Sequence, residues 1–400
     1  MKKALIIFFI FWYLIPGLFT LIYPEFITDL FKGNIYFTSI IYSFIFLLLT
    51  IYFSKLNINF KGIKQFKFLG LLYNSKIEYL FVILFFFSSI YFIIEYGLAF
   101  RQTGDNMSSA GSLLYLNYVT KAYIKCFIFK QVILSADSNY KLPFLKLTLV
   151  FIGSILSTSA ALDAILPLMI LVLLLKKDKI YNEQHKSSFL FYSILLVLLF
   201  SIPIIGTANK VGFEQTYYIF TETSEFFAKS LFRRIATWHH SVNIYIDIVQ
   251  NEIIPNRIDL VSDIFKTSIN RVYILFGGER SIPEIHTAAR YNYLNLFHDT
   301  GNPKTGATSG VIATSLLFFP FGLFLFSFLL SRYYKFVYEL IPKKTTNITH
   351  FFILMVIILP LISSPLDLII LVSPEIFFLF FLISLKYKLK FYAKKNTSYL

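Results

Sequence analysis

The chain has almost no cysteine: its 400 residues include only Cys126. One thiol cannot form an intramolecular disulfide or a cysteine-based metal site. It sits in an apolar stretch, where a thiol packs as a small hydrophobe. Charge is sparse as well, at 15% of residues. No phosphate-binding loop, His-Glu-x-x-His, Gly-x-Ser-x-Gly or outer-loop Asp-x-Asp pair occurs, so nothing supports an ATP-driven pump or a metalloprotease. Arginine is much scarcer than lysine: eight of the 37 lysines and arginines.

What fills the chain is hydrocarbon. It is 56% hydrophobic, with 48 Phe and 27 Tyr, and apolar runs about 20 residues long recur along it. The pattern predicts an all-α fold, a polytopic transmembrane helical bundle of about ten spans. They fall at roughly 4–23, 35–53, 77–100, 113–134, 144–160, 162–175, 188–206, 310–330, 350–366 and 368–385. The first run follows Lys2 and Lys3. It is too long for a secretion signal and no small-residue cleavage site follows, so it is expected to be retained. Ser157-Thr158-Ser159-Ala160 and Ser363-Ser364-Pro365 interrupt two long apolar stretches, the second because proline cannot continue the helical ladder.

The net charge of +15 calls for no nucleic-acid partner. Lysines cluster at the N-terminus, at 54–76, at 176–186 and in the tail after 385, and Arg332 and three lysines occupy 331–349. All these segments fall on one side of the predicted bundle. The positive-inside rule makes that side cytoplasmic, with both termini. Three parts result: N-terminal helices at 1–206, a large extracytoplasmic loop at 207–309, and C-terminal helices with a basic tail at 310–400.

The loop holds six arginines: Arg233, Arg234, Arg257, Arg271, Arg280 and Arg290. It also holds four of the six histidines. Codon bias toward lysine would not gather arginine in one place. The loop is helical by periodicity. Between Glu225 and Gln250, Phe227, Leu231, Trp238, Val242, Tyr245 and Val249 form an apolar stripe. Ser230, Arg233, Arg234, Thr237, His240 and Ser241 form the opposite, polar stripe. A second helix is predicted over about 259–275, stopped by Gly277-Gly278. A third is predicted from Ser281, with Pro283 in its first turn, to about Asp299; His286 and Arg290 share one of its faces.

Arg233 and Arg234 fit two roles. One is lipid-headgroup binding by an interfacial helix. The other is a pyrophosphate clamp, since guanidinium forks match phosphate oxygens. His286, His298 and Asp299 are candidate proton acceptors. Arg101 is the other outward-facing arginine. Lys121 and Lys125 fall inside a predicted span, where charge faces a cavity or a partner, and Lys130 can snorkel to the cytoplasmic end. Asp163 and Asp367 lie near the interruptions and could line a polar cavity.

The junction from Arg290 to Gly310, followed by Val311 to Gly322, resembles the loop-to-span junction of O-antigen (repeat-unit) polymerases. The matching residues are Asn292 to Leu294, the Gly306 to Gly310 turn and Phe321-Gly322. Ser309 stands where that family usually has proline, and the Ser157 to Asp163 interruption lacks its frequent arginine. The resemblance covers the whole chain in topology and about thirty residues in motif. It implies a GT-C-like lipid-linked glycosyltransferase of the bacterial cytoplasmic (inner) membrane. The donor would be a glycan on undecaprenyl pyrophosphate, and the acceptor a lipid-linked repeat unit. Arg233, Arg234, Arg271, Arg280, Arg290 and Arg101 would bind the pyrophosphate without a metal or other cofactor. His298, Asp299 or His286 would take the acceptor proton, with Glu279 a further choice. A flippase and a chain-length regulator would be partners. An O-antigen ligase shares the architecture, and a lipid-glycan flippase or other transporter is the alternative from a different class.

Overall fold

A computed structural model describes residues 2–23, 37–56, 67–96, 111–135, 140–156, 212–221, 238–246, 257–276, 309–341 except 319, and 371–397, with isolated residues within 168–173, 292–296 and 357–365 and at Ala208. Among these, all regular structure is helical.

The N-terminal apolar run forms α1 (Lys2–Phe9), a π-helical turn (Ile10–Leu14) and α2 (Ile15–Ile22). The wide turn has a local cause. Pro16 has no N–H for the carbonyl four residues back, and its ring crowds that carbonyl. The ladder adjusts just before it, and the Ile15 N–H reaches back five residues to the Ile10 carbonyl. After it come α3 (Phe37–Lys55), a 3-10 turn (Lys67–Tyr73), α4 (Ser75–Tyr96), α5 (Gly111–Leu134) and α6 (Phe144–Leu156). Within 207–309 lie α7 (Phe213–Thr221), a helical segment at 238–246 and α8 (Arg257–Leu275). The chain closes with α9 (Gly310–Leu317), α10 (Phe321–Tyr338) and α11 (Pro374–Thr397).

Among the described residues, two helices, α3 and the Ser75–Glu95 part of α4, are long and apolar enough to cross a membrane. α5 is longer still, but Lys121, Lys125 and Lys130 punctuate it. The predicted span at 310–330 is two helices, broken at Phe318 to Pro320, and the second runs on to Tyr338. Pro320 again has no N–H to offer α9. The last predicted span, 368–385, starts later and ends later. Pro374 suits a first helical turn, where no N–H is needed. The Ser373 hydroxyl accepts the Ile376 N–H at 3.2 Å. The predicted span at 188–206 and the interruption at 157–163 lie outside the described residues.

Packing forms two cores. In one, α4 sits between α5 and α6, and α11 packs along α5 and the 3-10 turn. Phe85, Phe127, Val150 and Phe381 fill it, and Tyr73 stacks on Tyr123. In the other, α10 lies along α3 and closes on α1, α9 and the 238–246 segment through Phe9, Phe46, Trp238, Tyr245 and Leu330. α10 joins them: Tyr334 belongs to the second core and Val337 to the first.

Candidate functional site

Two stretches of 207–309 carry polar side chains into the helical body. The first is the 238–246 segment. The sequence predicts one apolar and one polar stripe there, yet every residue from Trp238 to Ile246 is buried. Trp238, Val242 and Tyr245 do form the apolar contact. His240 and Ser241, expected on the polar stripe, are covered by protein. Another chain segment supplies a partner for Ser241. The Asn292 amide donates to the Ser241 hydroxyl at 3.2 Å, which ties the predicted third loop helix to this one.

His239 is fully buried. Its Nε2 is 3.0 Å from the Ser39 hydroxyl at the start of α3. A Cβ placed on Gly17 of α2 would come within 2.6 Å of the His239 ring, so only glycine leaves room for it. Burial, and then the neighbouring His240, hold the His239 imidazole well below its usual range, at about 3. It is therefore neutral at ordinary pH. Its Nδ1 is buried and finds no hydrogen-bond partner among the described residues. No group of three or more His, Cys, Asp or Glu that could hold a metal occurs among them either.

The junction motif has a packing explanation. Gly310 adopts φ +75°, and a Cβ there would meet the Tyr13 hydroxyl at 2.8 Å and Trp238 at 3.2 Å. Left-handed backbone and close approach both demand glycine. Gly322 sits where a Cβ would come within 2.1 Å of the Ser315 carbonyl oxygen, so α10 can start hard against the end of α9. Asn292 is the buried donor already described.

The second polar stretch is one face of α8. Thr267, Asn270 and Arg271 fall at i, i+3 and i+4, so they share a face. Thr267 and Asn270 are buried, and Thr267 Oγ1 and Asn270 Oδ1 find no hydrogen-bond partner among the described residues. Arg271 is half-buried, and its guanidinium forms no ion pair or hydrogen bond among them. Beside this face, the Ser268 hydroxyl accepts the Leu371 N–H at 3.2 Å, and α8 leans on α5. On α5, Lys121 is buried and Lys125 half-buried. A rigid cation with buried hydroxyl and amide groups around it can hold a phosphate and the hydroxyls of an attached sugar.

Of the residues expected to bind pyrophosphate, Arg271 stands on this face. Arg101, Arg233, Arg234, Arg280 and Arg290 lie outside the described residues, as do His286, His298, Asp299, Glu279, Asp163 and Asp367. Sequence reasoning missed Thr267 and Asn270, for which the spacing against Arg271 was the available signal. It read His239, with His240, as an interfacial or capping residue at least as readily as a chemical one, and its contacts with Ser39 and Gly17, distant in the chain, left no signal.

Lys130, expected to snorkel, is instead paired. It donates to Glu78 Oε1, while Lys146 donates to Glu78 Oε2 at 2.9 Å. All three side chains are buried. This cluster pins α4, α5 and α6 together.

Compared with known proteins, the chain matches no family model, no curated protein and no solved structure.

Proposed function

We propose that the protein is a lipid-linked glycosyltransferase, a repeat-unit polymerase of bacterial surface polysaccharide, built as a bundle of about ten spans in the cytoplasmic membrane with a GT-C-like architecture. Both termini are cytoplasmic and 207–309 faces outward. The acceptor hydroxyl attacks the anomeric carbon of the donor glycan. The new glycosidic C–O bond forms as the bond to undecaprenyl pyrophosphate breaks, and the hydroxyl proton passes to a base. Negative charge grows on the leaving pyrophosphate, where preorganised cations act most strongly. Arg271, with Arg233, Arg234, Arg280, Arg290 and Arg101, supplies that charge without a metal. His298, Asp299 or His286 takes the proton.

One observation carries the reading. A half-buried arginine of the polar segment shares a helix face with a buried hydroxyl and a buried amide oxygen that find no hydrogen-bond partner among the described residues. An interior surface of that kind suits an anionic, hydroxyl-rich ligand.

The test is the surface-glycan banding of a deletion strain carrying wild-type or Arg271→Ala protein, with membrane abundance followed by an epitope tag. The deletion should leave lipid A–core carrying a single repeat unit. The wild type should restore the ladder, and Arg271→Ala should not, at equal abundance. Bare core in the deletion would point to a ligase. Repeat units trapped on the cytoplasmic leaflet would point to a flippase. A normal ladder in the deletion strain ends the transferase reading.

A further inference from the structure

The amphipathicity of α8 is inverted relative to that of a helix in water. Its polar face, with Thr267, Ser268 and Asn270, is turned into the protein. Its opposite face carries Phe265, Ile269 and Tyr273 at i, i+4 and i+8, continued by Phe276 just past the helix end. These four are 65, 66, 54 and 84% exposed. A helix bathed in water buries its apolar stripe and exposes its polar one. Bulky hydrocarbon standing open in a row along three turns is a patch that soluble surfaces rarely carry.

Other helices of the chain carry the same surface chemistry. α8 leans on α5, and α5 packs along α4. α4 is one of the two membrane-length helices, and its free face shows Leu80, Phe87, Tyr91 and Ile94. α7, also from the polar segment, turns Tyr217 and Tyr218 outward and buries Thr216. Tyrosine is the residue favoured at the boundary between headgroups and acyl chains. Lys266 is exposed beside the α8 stripe, and a lysine stem can lie along hydrocarbon with its charged end in a polar layer.

We infer that α8 is embedded in the outer boundary of the bilayer, with phospholipid acyl chains covering Phe265, Ile269, Tyr273 and Phe276. The polar segment is then a wall between lipid and protein interior. The face bearing Arg271 opens inward from that wall, one helix thickness from the acyl chains. The occupant is lipid rather than protein because the stripe presents the same bare hydrocarbon as the exposed faces of the membrane-length helices α3 and α4. This inference rests on the chain being a membrane protein and not on the reaction it catalyses.

The test uses full-length protein in vesicles of phosphatidylcholine and phosphatidylglycerol, without substrate. Cys126 is buried and is replaced by alanine. Nitroxide labels are placed singly at Phe265→Cys, Ile269→Cys, Tyr273→Cys and Phe276→Cys, and at Lys266→Cys. Power saturation then compares molecular oxygen, which partitions into lipid, with a water-soluble nickel chelate. The expected result is several-fold greater relaxation by oxygen at the four stripe positions and a more even response at Lys266→Cys. Dominant relaxation by the chelate would put α8 in water and overturn the inference. So would spin–spin broadening that disappears on dilution with unlabelled protein, which would show a second copy on the stripe. Labels shielded from both reagents would show that another part of the chain covers it, and would overturn it too.

Discussion

Removing the charge of Glu78 should destabilise the protein more than almost any other single-atom-scale change. Glu78 lies in the first turn of α4, where a carboxylate gains from the helix dipole. It accepts from Lys130 and from Lys146, and Lys146 also donates to the Ser75 hydroxyl and carbonyl, each at 3.3 Å. Two ammonium groups therefore share one buried carboxylate. Glu78→Gln keeps the shape and removes the charge. Breaking a buried ion pair from one side costs about 3–5 kcal/mol, because the remaining charge is left uncompensated. Here two such charges remain, so the upper part of that range applies. The assay is heating in detergent followed by fluorescence-detected size exclusion, with wild type and variant side by side. Glu78→Met combined with Lys130→Met and Lys146→Met should return close to wild type, since replacing a whole buried pair by packed hydrocarbon is near neutral or stabilising. A single variant that melts like a surface substitution, within about 0.5 kcal/mol, would refute the reasoning. So would a triple variant no better than the single one.

Two further outcomes follow from the packing. The His239 imidazole is held at about 3 against an ordinary value near 6.5, so between those values the unfolded chain binds a proton that the folded chain refuses. Its contribution is complete above pH 6.5 and is lost as pH falls toward 3. The slope is about 1.4 kcal/mol per pH unit, so roughly 2–3 kcal/mol should go between pH 6.5 and 4.5. Melting curves of wild type and His239→Gln should therefore converge on acidification; parallel curves would contradict the burial argument. Gly310→Ala should cost about 1–3 kcal/mol for its left-handed backbone alone, with crowding against Tyr13 added. Tyr13→Phe removes the atom met at 2.8 Å and should recover part of that loss in the same heating assay. A double variant as unstable as Gly310→Ala would place the strain elsewhere.

Length and hydropathy made α3, α4 and α5 legible: the predicted spans start and end near the observed helices. Those features come from each segment's own side chains. What stayed hidden depends on partners. A stripe pattern gives two faces for α8 and for 238–246 but not what lies against each. The 238–246 segment proved to be enclosed on all sides, and α8 proved to be turned polar side in. Glu78 was a lone acid at the start of an apolar run, and only the meeting of three helices made it a counter-ion. The break at Pro320 fell inside a run whose hydropathy does not register a missing N–H. Of the candidate phosphate-binding set, Arg271 is the member that the described structure locates.

The widened turn at Ile10–Leu14 sets the angular phase of everything after it in the first helix. Each residue advances an α-helix by about 100°. Taking one residue out of that coil would swing Gly17 away from His239 and replace it with a bulkier neighbour. The opening segment is thus keyed like a lock ward: a generic membrane anchor of equal length and greasiness would insert, yet would not admit the imidazole.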